Sequence, residues 1–348
     1  MKKNNYHLAI PLTGAVLFNT AVSAEQDEYT YQDSTNRLTL SLRFGLNISG
    51  KFSGAGGSLN PAALRSGYYE DGYVLKDSTG NALGLTTYWG YDSTSQYTPG
   101  PGTGPDTISF HSETASGIPS AQNEDANPYP GLELTYDRKF GEKDNWHHLS
   151  YGLEGAVNYM RFSFQSDNTF DATPITTTTV YQLPDTTPPP APFHGTFNGS
   201  PGGYSLLEVP SISSSSLSGP PATLLSQDHF EANLWGFRLG PYVELPFTEK
   251  LSLHVSGGLA LGLVDGHDSW QETLTPGGTT SGGGSDFDML WGFYAGADAT
   301  WQINKRWDIE GGAQFQDIGK YNHSFNGRGV ELDLSRSLFV EFGVGYSF

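Results

Sequence analysis

The chain has 348 residues, with 44 Gly, 21 Pro and no Cys, and it carries 18 Lys and Arg against 37 Asp and Glu, a formal net charge of −19. This acidic balance argues against a nucleic-acid partner, which needs clustered basic residues. The lack of Cys excludes disulfides, thiolate zinc sites and iron–sulfur clusters. A mean hydropathy of −0.40 without a long apolar run after the N-terminus excludes a helical membrane protein.

The first 24 residues have the features of a secretory signal peptide. Lys2 and Lys3 are their only charges, an apolar stretch covers 8–18, and Val22 and Ala24 provide small side chains before a cleavage point. We therefore predict a signal peptide at 1–24, followed by a short periplasmic segment at 25–36. The alternative is an amphipathic N-terminal helix that is retained.

The remaining chain alternates between apolar and polar residues in eight segments. The first begins at Leu38, and every even position up to Ile48 is apolar. The others lie at about 131–140, 149–165, 235–245, 251–263, 291–303, 307–315 and 338–348. A period of two predicts strands with one apolar and one polar face, and no helical period competes with it.

Short and long links alternate strictly between these segments. Tight links lie at 141–146, 246–250 and 304–306, whereas the first and third links are the large segments at about 54–130 and 166–228. In a meander, alternate links lie at opposite ends of the strands. We predict an all-β fold, an eight-stranded up-and-down antiparallel barrel of a bacterial outer membrane at 37–348, with long extracellular loops, short periplasmic turns and periplasmic termini.

The polar strand faces carry charges that a membrane barrel would point into its lumen. These are Arg43, Glu133, Glu154, Arg238, Glu244, His254, Asp298, Glu310 and Glu341. We expect Arg43 to lie beside Glu133 and Glu341, and Arg238 beside Glu154 and His254. Buried charges need partners, so a structural plug is favoured over a conducting pore.

Aromatic residues band the apolar faces at both ends, as expected at membrane interfaces. Those near the loop end are Phe52, Trp235, Phe237 and Trp291. Those near the turn end are Phe140, Phe247, Trp301, Trp307, Tyr346 and Phe348. A soluble β-sandwich, whose apolar faces would form a core, is the alternative.

The last strand, LFVEFGVGYSF, ends on Phe348 and resembles the signal by which bacterial outer-membrane barrels are recognised by their assembly machinery. The strand count resembles the small barrel family that includes the membrane domain of outer-membrane protein A. That resemblance implies an assembly role for Phe348. We expect no counterpart of the periplasmic domain often found in that family, because the sequence ends at Phe348.

The two large links differ in character. Pro188–Pro190 and Ser213–Ser216 in the second predict extended, poorly ordered chain. In the first, the segments 88–91 and 108–110 each read as a short strand. If both entered the wall, the barrel would have ten strands.

One compact cluster has a catalytic appearance, at Asp265, His267, Asp268 and Ser269. Its Asp-x-His resembles the dyad of outer-membrane aspartyl-type proteases, and its His-x-Ser resembles the lipid A deacylases. By strand phase, His267 and Ser269 would face outward with no acid to orient the histidine. We therefore predict no catalytic residues. His147 and His148 have no third ligand at a suitable spacing, so no metal site or cofactor is predicted.

Two arginines interrupt apolar faces near the loop end, Arg161 and Arg336. They are candidates for contact with lipopolysaccharide phosphates, with an ordinary interfacial arginine as the alternative. The acidic loops would also attract divalent cations non-specifically, with carboxylate candidates at Glu70, Asp71, Glu124, Asp125, Asp265 and Asp268.

Three functions remain open at this point. The favoured one is a non-enzymatic surface or structural protein with acidic loops. A small-solute or ion channel is the first alternative, and an outer-membrane enzyme acting on lipid or peptide is the second. The same barrel can support all three.

Overall fold

The computed structural model describes residues 35–56, 66–76, 84–102, 104–125, 128–143, 149–184, 187–196, 204–217, 219, 221–275, 277–325 and 327–348. The predicted signal peptide, most of the segment at 25–36, and His147 and His148 lie outside these residues. Where the chain is described, no helix is long and apolar enough to cross a membrane.

Eight long antiparallel strands form a closed ring, the wall of the barrel. In chain order they are β1 (Asn36–Leu46), β2 (Tyr129–Lys143), β3 (Leu149–Leu183), β4 (Ala222–Pro246), β5 (Leu251–Thr275), β6 (Thr279–Gln302), β7 (Trp307–Asp317) and β8 (Ser337–Ser347). Each strand pairs with the next, and β8 pairs with β1. The eight-stranded barrel predicted from the alternation is confirmed.

The alternation of side chains explains why the sheet closes. Leu40 lies between Leu134 of β2 and Val344 of β8, and all three are about half exposed on the outer surface. The neighbouring residues Thr39 and Ser41 are buried inside. A sheet with an apolar outer belt and unpaired edges could not lie in lipid, whereas a closed ring satisfies every backbone group.

Tight turns and both described ends of the chain lie at one end of the ring. Thr248 Oγ1 accepts a hydrogen bond from the backbone of Leu251 between β4 and β5. Asn304 Oδ1 accepts two from the backbone of Arg306 and Trp307 between β6 and β7. Asn36 and Phe348 exchange backbone hydrogen bonds of 3.2 and 2.9 Å. The turns are therefore held by their own side chains.

At the other end, β3 to β6 extend far beyond the length that crosses a membrane. They contain 35, 25, 25 and 24 residues, whereas a tilted strand spans the hydrocarbon in about 9–11. The poor order predicted for Ser213–Ser216 is wrong, because these residues belong to the strand Ile212–Leu217, which pairs with the far part of β3. β3 continues to Leu183 and β4 begins at Ala222, because their period-two pattern persists past the membrane.

Shorter strands complete this outer region. They are Tyr68–Tyr69, Gly72–Val74, Leu85–Thr86, Trp89–Tyr91, Tyr97–Thr98, Asp106–Ser116, Phe193–His194, Leu206–Leu207 and Ile212–Leu217, with a 3-10 turn at Thr94–Gln96. Asp106–Ser116 pairs with the outer part of β3, and Trp89–Tyr91 belongs to a small separate sheet. Both segments considered for a ten-stranded wall are thus strands outside the ring, packed around Trp89, Tyr91 and Phe110.

A four-stranded outer sheet continues the β1–β8 side of the barrel. It consists of Ser49–Ser53, Ala121–Asp125, Lys320–Phe325 and Arg328–Asp333. It begins at a bend where Asn47 and Arg336 both have φ near +58°, and Asn47 Nδ2 donates to the Arg336 carbonyl at 2.8 Å. The bend breaks the phase of β1, so Phe52 is buried at 5% exposure instead of joining the aromatic band. That placement of Phe52 was wrong.

Candidate functional site: a layered lumen

The lumen contains layers of different chemistry, and the layer nearest the turns is centred on Arg37. Its guanidinium donates to Asp308 at 2.6 Å and to Glu310 at 2.5 Å, and it lies 3.9 Å from Asp137. Of these residues only Glu310 is among the lumen charges predicted from the sequence. Arg37 shares the inward phase of Thr39, Ser41 and Arg43, but the predicted strand begins at Leu38, two residues after the observed start at Asn36.

The next layer is held by Arg43, which is 1% exposed. Its guanidinium donates to Glu133 and, at 2.9 Å, to Gln316, and it lies 3.5 Å from Glu341. The Phe339 ring packs 3.6 Å from the guanidinium carbon. The structure brings Arg43 together with both carboxylates expected from strand order.

Arg238 extends this layer across the lumen. It donates to Glu154 at 3.0 Å and to Glu133, and its guanidinium lies over the Tyr294 ring at 4.7 Å. The Tyr294 hydroxyl also donates to Glu154, at 3.1 Å. Two arginines and two glutamates thus form one network, in which Glu133 accepts from both arginines.

The other residues expected in the lumen lie closer to the turns. His254 Nε2 is 3.0 Å from Glu154, and its ring stacks on Tyr242 at 4.6 Å. Asp298 lies opposite His254 in the β5–β6 register and is half-buried. Glu244 accepts from Ser252 at 2.5 Å. The sequence predicts a single network for these residues, whereas the structure places Glu244 with two serines and Glu310 with Arg37.

Above the charged layers the lumen is filled by an apolar layer. Met160, Phe162, Phe164, Phe230 and Leu234 are each at most 1% exposed and belong to one core. On β3 and β4 these are the inward positions, and the outward positions become polar at the same height. The apolar face therefore changes sides just beyond Tyr159 and Trp235, which is where we expect the strands to leave the membrane.

A second polar layer lies above this core, outside the membrane. Arg328 donates to Asp228 at 3.0 Å, lies 2.5 Å from Glu272, and stacks over the Trp270 ring at 4.5 Å. Burial raises the pKa of both carboxyls, and the Arg328 charge opposes that effect only in part. Glu272 also accepts from the backbone of Gly56 at 2.7 Å. Through this hydrogen bond, the start of the first loop is held against the inside of the barrel.

The catalytic-looking cluster is divided between two faces of β5. Asp265, His267 and Ser269 are exposed on the outer face, where His267 Nδ1 lies 2.8 Å from Ser285 Oγ. Asp268 points inward, 3.2 Å from His323 Nε2. The sheet therefore separates Asp268 from His267 and Ser269, and the partner of His267 Nδ1 is the hydroxyl of Ser285 on β6.

The same geometry argues against a shared cation site at Asp265 and Asp268, because residues an odd number of positions apart on a strand face opposite sides. Glu70 and Asp71 accept backbone hydrogen bonds from Glu113 and His111, both at 2.8 Å.

Two further acidic candidates were named from the sequence. Glu124 accepts from Ser166 at 2.8 Å. The side chain of Asp125 lies outside the described atoms. Glu70, Asp71 and Glu124 thus serve as internal acceptors within the outer region.

The two arginines expected near the lipid headgroups have different surroundings. Arg161 donates to Glu231 at 2.7 Å on the exposed surface of β3 and β4. Arg336 is exposed at the bend before β8, where its carbonyl is bound by Asn47.

The closed ring and its outward apolar belt define the class of this protein, an eight-stranded outer-membrane β-barrel. The belt includes Trp291, Leu259, Leu40 and Phe342, each more than half exposed. Such a surface fits lipid and not water. Because the sheet closes on itself, the soluble sandwich is excluded.

No family model matches the chain, and no curated protein matches it. Solved structures similar to it include Ail, the attachment invasion locus protein of Yersinia pestis, in complex with a heparin analogue. The match has 10% identity, covers 90% of this chain and 99% of Ail, and has a TM-score of 0.28.

Two other similar structures have TM-scores of 0.32 and 10% identity, and each match covers 90% of this chain. They are the outer membrane protein OprG from Pseudomonas aeruginosa, covered to 96%, and the outer membrane protease OmpT from Escherichia coli, covered to 97%. No functional statement about this chain follows from these matches.

Proposed function

We propose that this protein is a closed, non-enzymatic barrel that anchors a folded β-structure on the outer surface of the bacterium. The observation that carries the proposal is the apolar layer across the lumen. A water-filled channel needs a continuous polar path. Here Phe164, Phe230 and Leu234 fill the lumen above the charged layers, and each of them is at most 1% exposed.

The charged layers support the same conclusion. Glu133 lies buried between Arg43 and Arg238 and forms an ion pair with each of them. An eight-stranded barrel has an interior that side chains can fill. We therefore interpret these charges as a structural plug beneath the apolar layer.

The proposed orientation places the tight turns and both chain ends in the periplasm. Outer-membrane barrels have short periplasmic turns and long extracellular loops. The extended parts of β3 to β6 and the small outer sheets would then stand above the lipopolysaccharide. Arg336, exposed at the bend, and Arg161 would lie at the height of lipid phosphates.

The outer region has a core of its own, which suits it for contact with surroundings. Trp89, Tyr91, Phe110 and Leu206 are buried there, with Tyr181 beside them. A loop folded around such a core presents a fixed surface to a partner or to neighbouring envelope components. This is the role we propose for it.

Planar-bilayer recording of the purified, refolded protein tests the proposal. We expect no stable open state, while a general porin inserted under the same conditions conducts. A stable cation-selective open state would contradict the closed barrel and favour the channel. Hydrolysis of lipid or peptide by the same preparation, abolished by His267→Ala, would favour the enzyme instead.

A further inference from the structure

A small group of ionisable residues lies in the lumen between the Arg37 layer and the Arg43 layer. It consists of Asp137 on β2, Glu154 on β3 and His254 on β5, all of them buried. Each offers one ligand atom, and these atoms lie within 4.8 Å of one another. Three strands thus converge on one point of the lumen.

The wall places these side chains close together. Asp137 and Glu154 are directly opposite in the β2–β3 register. β4, which separates Glu154 from His254, has Gly240 opposite Glu154. Because a glycine has no side chain to intervene, the imidazole reaches Glu154 at 3.0 Å.

Asp137 is the unusual member of the group. Its side chain is 6% exposed, yet its Oδ1 has no hydrogen-bond partner among the described residues, and its nearest cation is Arg37 at 3.9 Å. His254 Nδ1 also has no hydrogen-bond partner among them. A buried carboxylate without a hydrogen bond is costly, so this arrangement calls for a positively charged ligand.

The charge of the whole lumen favours a cation as well. Three arginines face eight carboxylates among the described lumen residues. The arginines are Arg37, Arg43 and Arg238, and the carboxylates are Glu133, Asp137, Glu154, Glu244, Asp298, Asp308, Glu310 and Glu341. His254 alone cannot balance this excess. A divalent ion at Asp137 would reduce it where the local pairing is weakest.

We propose that Asp137, Glu154 and His254 bind a single Zn²⁺ ion, with water completing the coordination. An imidazole nitrogen with two carboxylates suits zinc, whereas Ca²⁺ and Mg²⁺ prefer oxygen ligands alone. The ion would replace the hydrogen bond between His254 and Glu154 and would link β2, β3 and β5. The site lies in the lumen and does not depend on the outer region.

Titration of the metal-free, refolded protein with ZnCl₂ in a calorimeter tests the site. We expect saturation at one ion per chain. Asp137→Asn and His254→Gln should each weaken binding by about tenfold or more. His267→Ala, which removes an exposed histidine of the same strand, should bind as the unaltered protein does. Heat-modifiable gel migration reports whether each variant has folded.

X-ray absorption of the zinc-loaded, unaltered protein gives a test that needs no variant. We expect one imidazole and two carboxylate ligands, with zinc–ligand distances of about 2.0–2.2 Å. No saturable binding would overturn the proposal. Zinc held by two or more imidazoles, or binding retained in both lumen variants, would also overturn it.

Discussion

The guanidinium of Arg238 donates a hydrogen bond to the carboxylate of Glu133, although β3 separates their strands in the wall. This contact passes over β3 inside the lumen and does not follow the sheet. It joins the Arg43 and Glu154 pairs into one network. Four consecutive strands, β1 to β4, are therefore connected through their buried charges.

Replacing Arg238 by Met should destabilise the barrel strongly. Glu133 and Glu154 would each lose a buried cationic partner, and removing one member of a buried pair costs about 3–5 kcal/mol. The free energy of unfolding in urea, measured in detergent micelles, gives the effect. Arg161→Met removes an exposed arginine paired with Glu231 and should cost at most about 1 kcal/mol. Equal losses in the two variants would show that the network does not stabilise the fold.

A charge introduced on the outer face of β4 should locate the membrane. Leu239 is 55% exposed within the apolar belt, and Leu239→Arg should cost about 2–4 kcal/mol. Gln227 is exposed on the same face beyond the phase change and lies near Asp167, so Gln227→Arg should be nearly neutral. Stability of refolded protein in lipid vesicles compares the two variants. A similar cost at both positions would contradict the boundary near Trp235.

The Glu272 carboxyl should make the outer region less stable as pH rises. Burial raises its folded-state pKa above the unfolded value, although Arg328 opposes the effect. Such a group stabilises the fold fully below its unfolded pKa, about 4.3, and the contribution is lost as pH rises through the folded value.

The matching measurement compares unfolding free energies of the unaltered protein and Glu272→Gln between about pH 4 and pH 8. The glutamine does not ionise, so the free energy of unfolding of the variant should increase relative to that of the unaltered protein as pH rises. Ser163→Ala, a change without a titrating group, should give a constant difference. If the free energy of unfolding of Glu272→Gln instead fell relative to that of the unaltered protein as pH rises, the raised pKa of Glu272 would be refuted.

Loss of Phe348 should impair assembly into the outer membrane. The residue exchanges backbone hydrogen bonds with Asn36, and its ring stacks on Tyr346 at 6.2 Å. Deletion removes both, whereas Phe348→Ala keeps the backbone contact and removes only the ring. We expect a reduced yield of heat-modifiable protein in membranes from both variants. Full assembly of Phe348→Ala would mean that the aromatic ring is not the signal.

The eight strands of the barrel wall and their order could be predicted from the sequence, because they depend on local patterns of residues. Alternation shows which side chains face lipid, and strict alternation of short and long links fixes the strand order. Neighbouring pairs such as Arg43 with Glu133 and Glu341 follow from that order. The sequence also contains the change of phase on β3, since the inward positions become apolar from Met160 onward.

Only the tertiary structure decided which residues meet without being neighbours in the sheet. Arg238 reaches Glu133, and Asp137 lies near His254, because of barrel radius, strand tilt and the absence of a side chain at Gly240. Arg328 reaches Asp228 because the bend at Asn47 turns a second sheet over the lumen. Strand periodicity carries no information about such distances, because it specifies the face of a residue and not what lies opposite across the lumen.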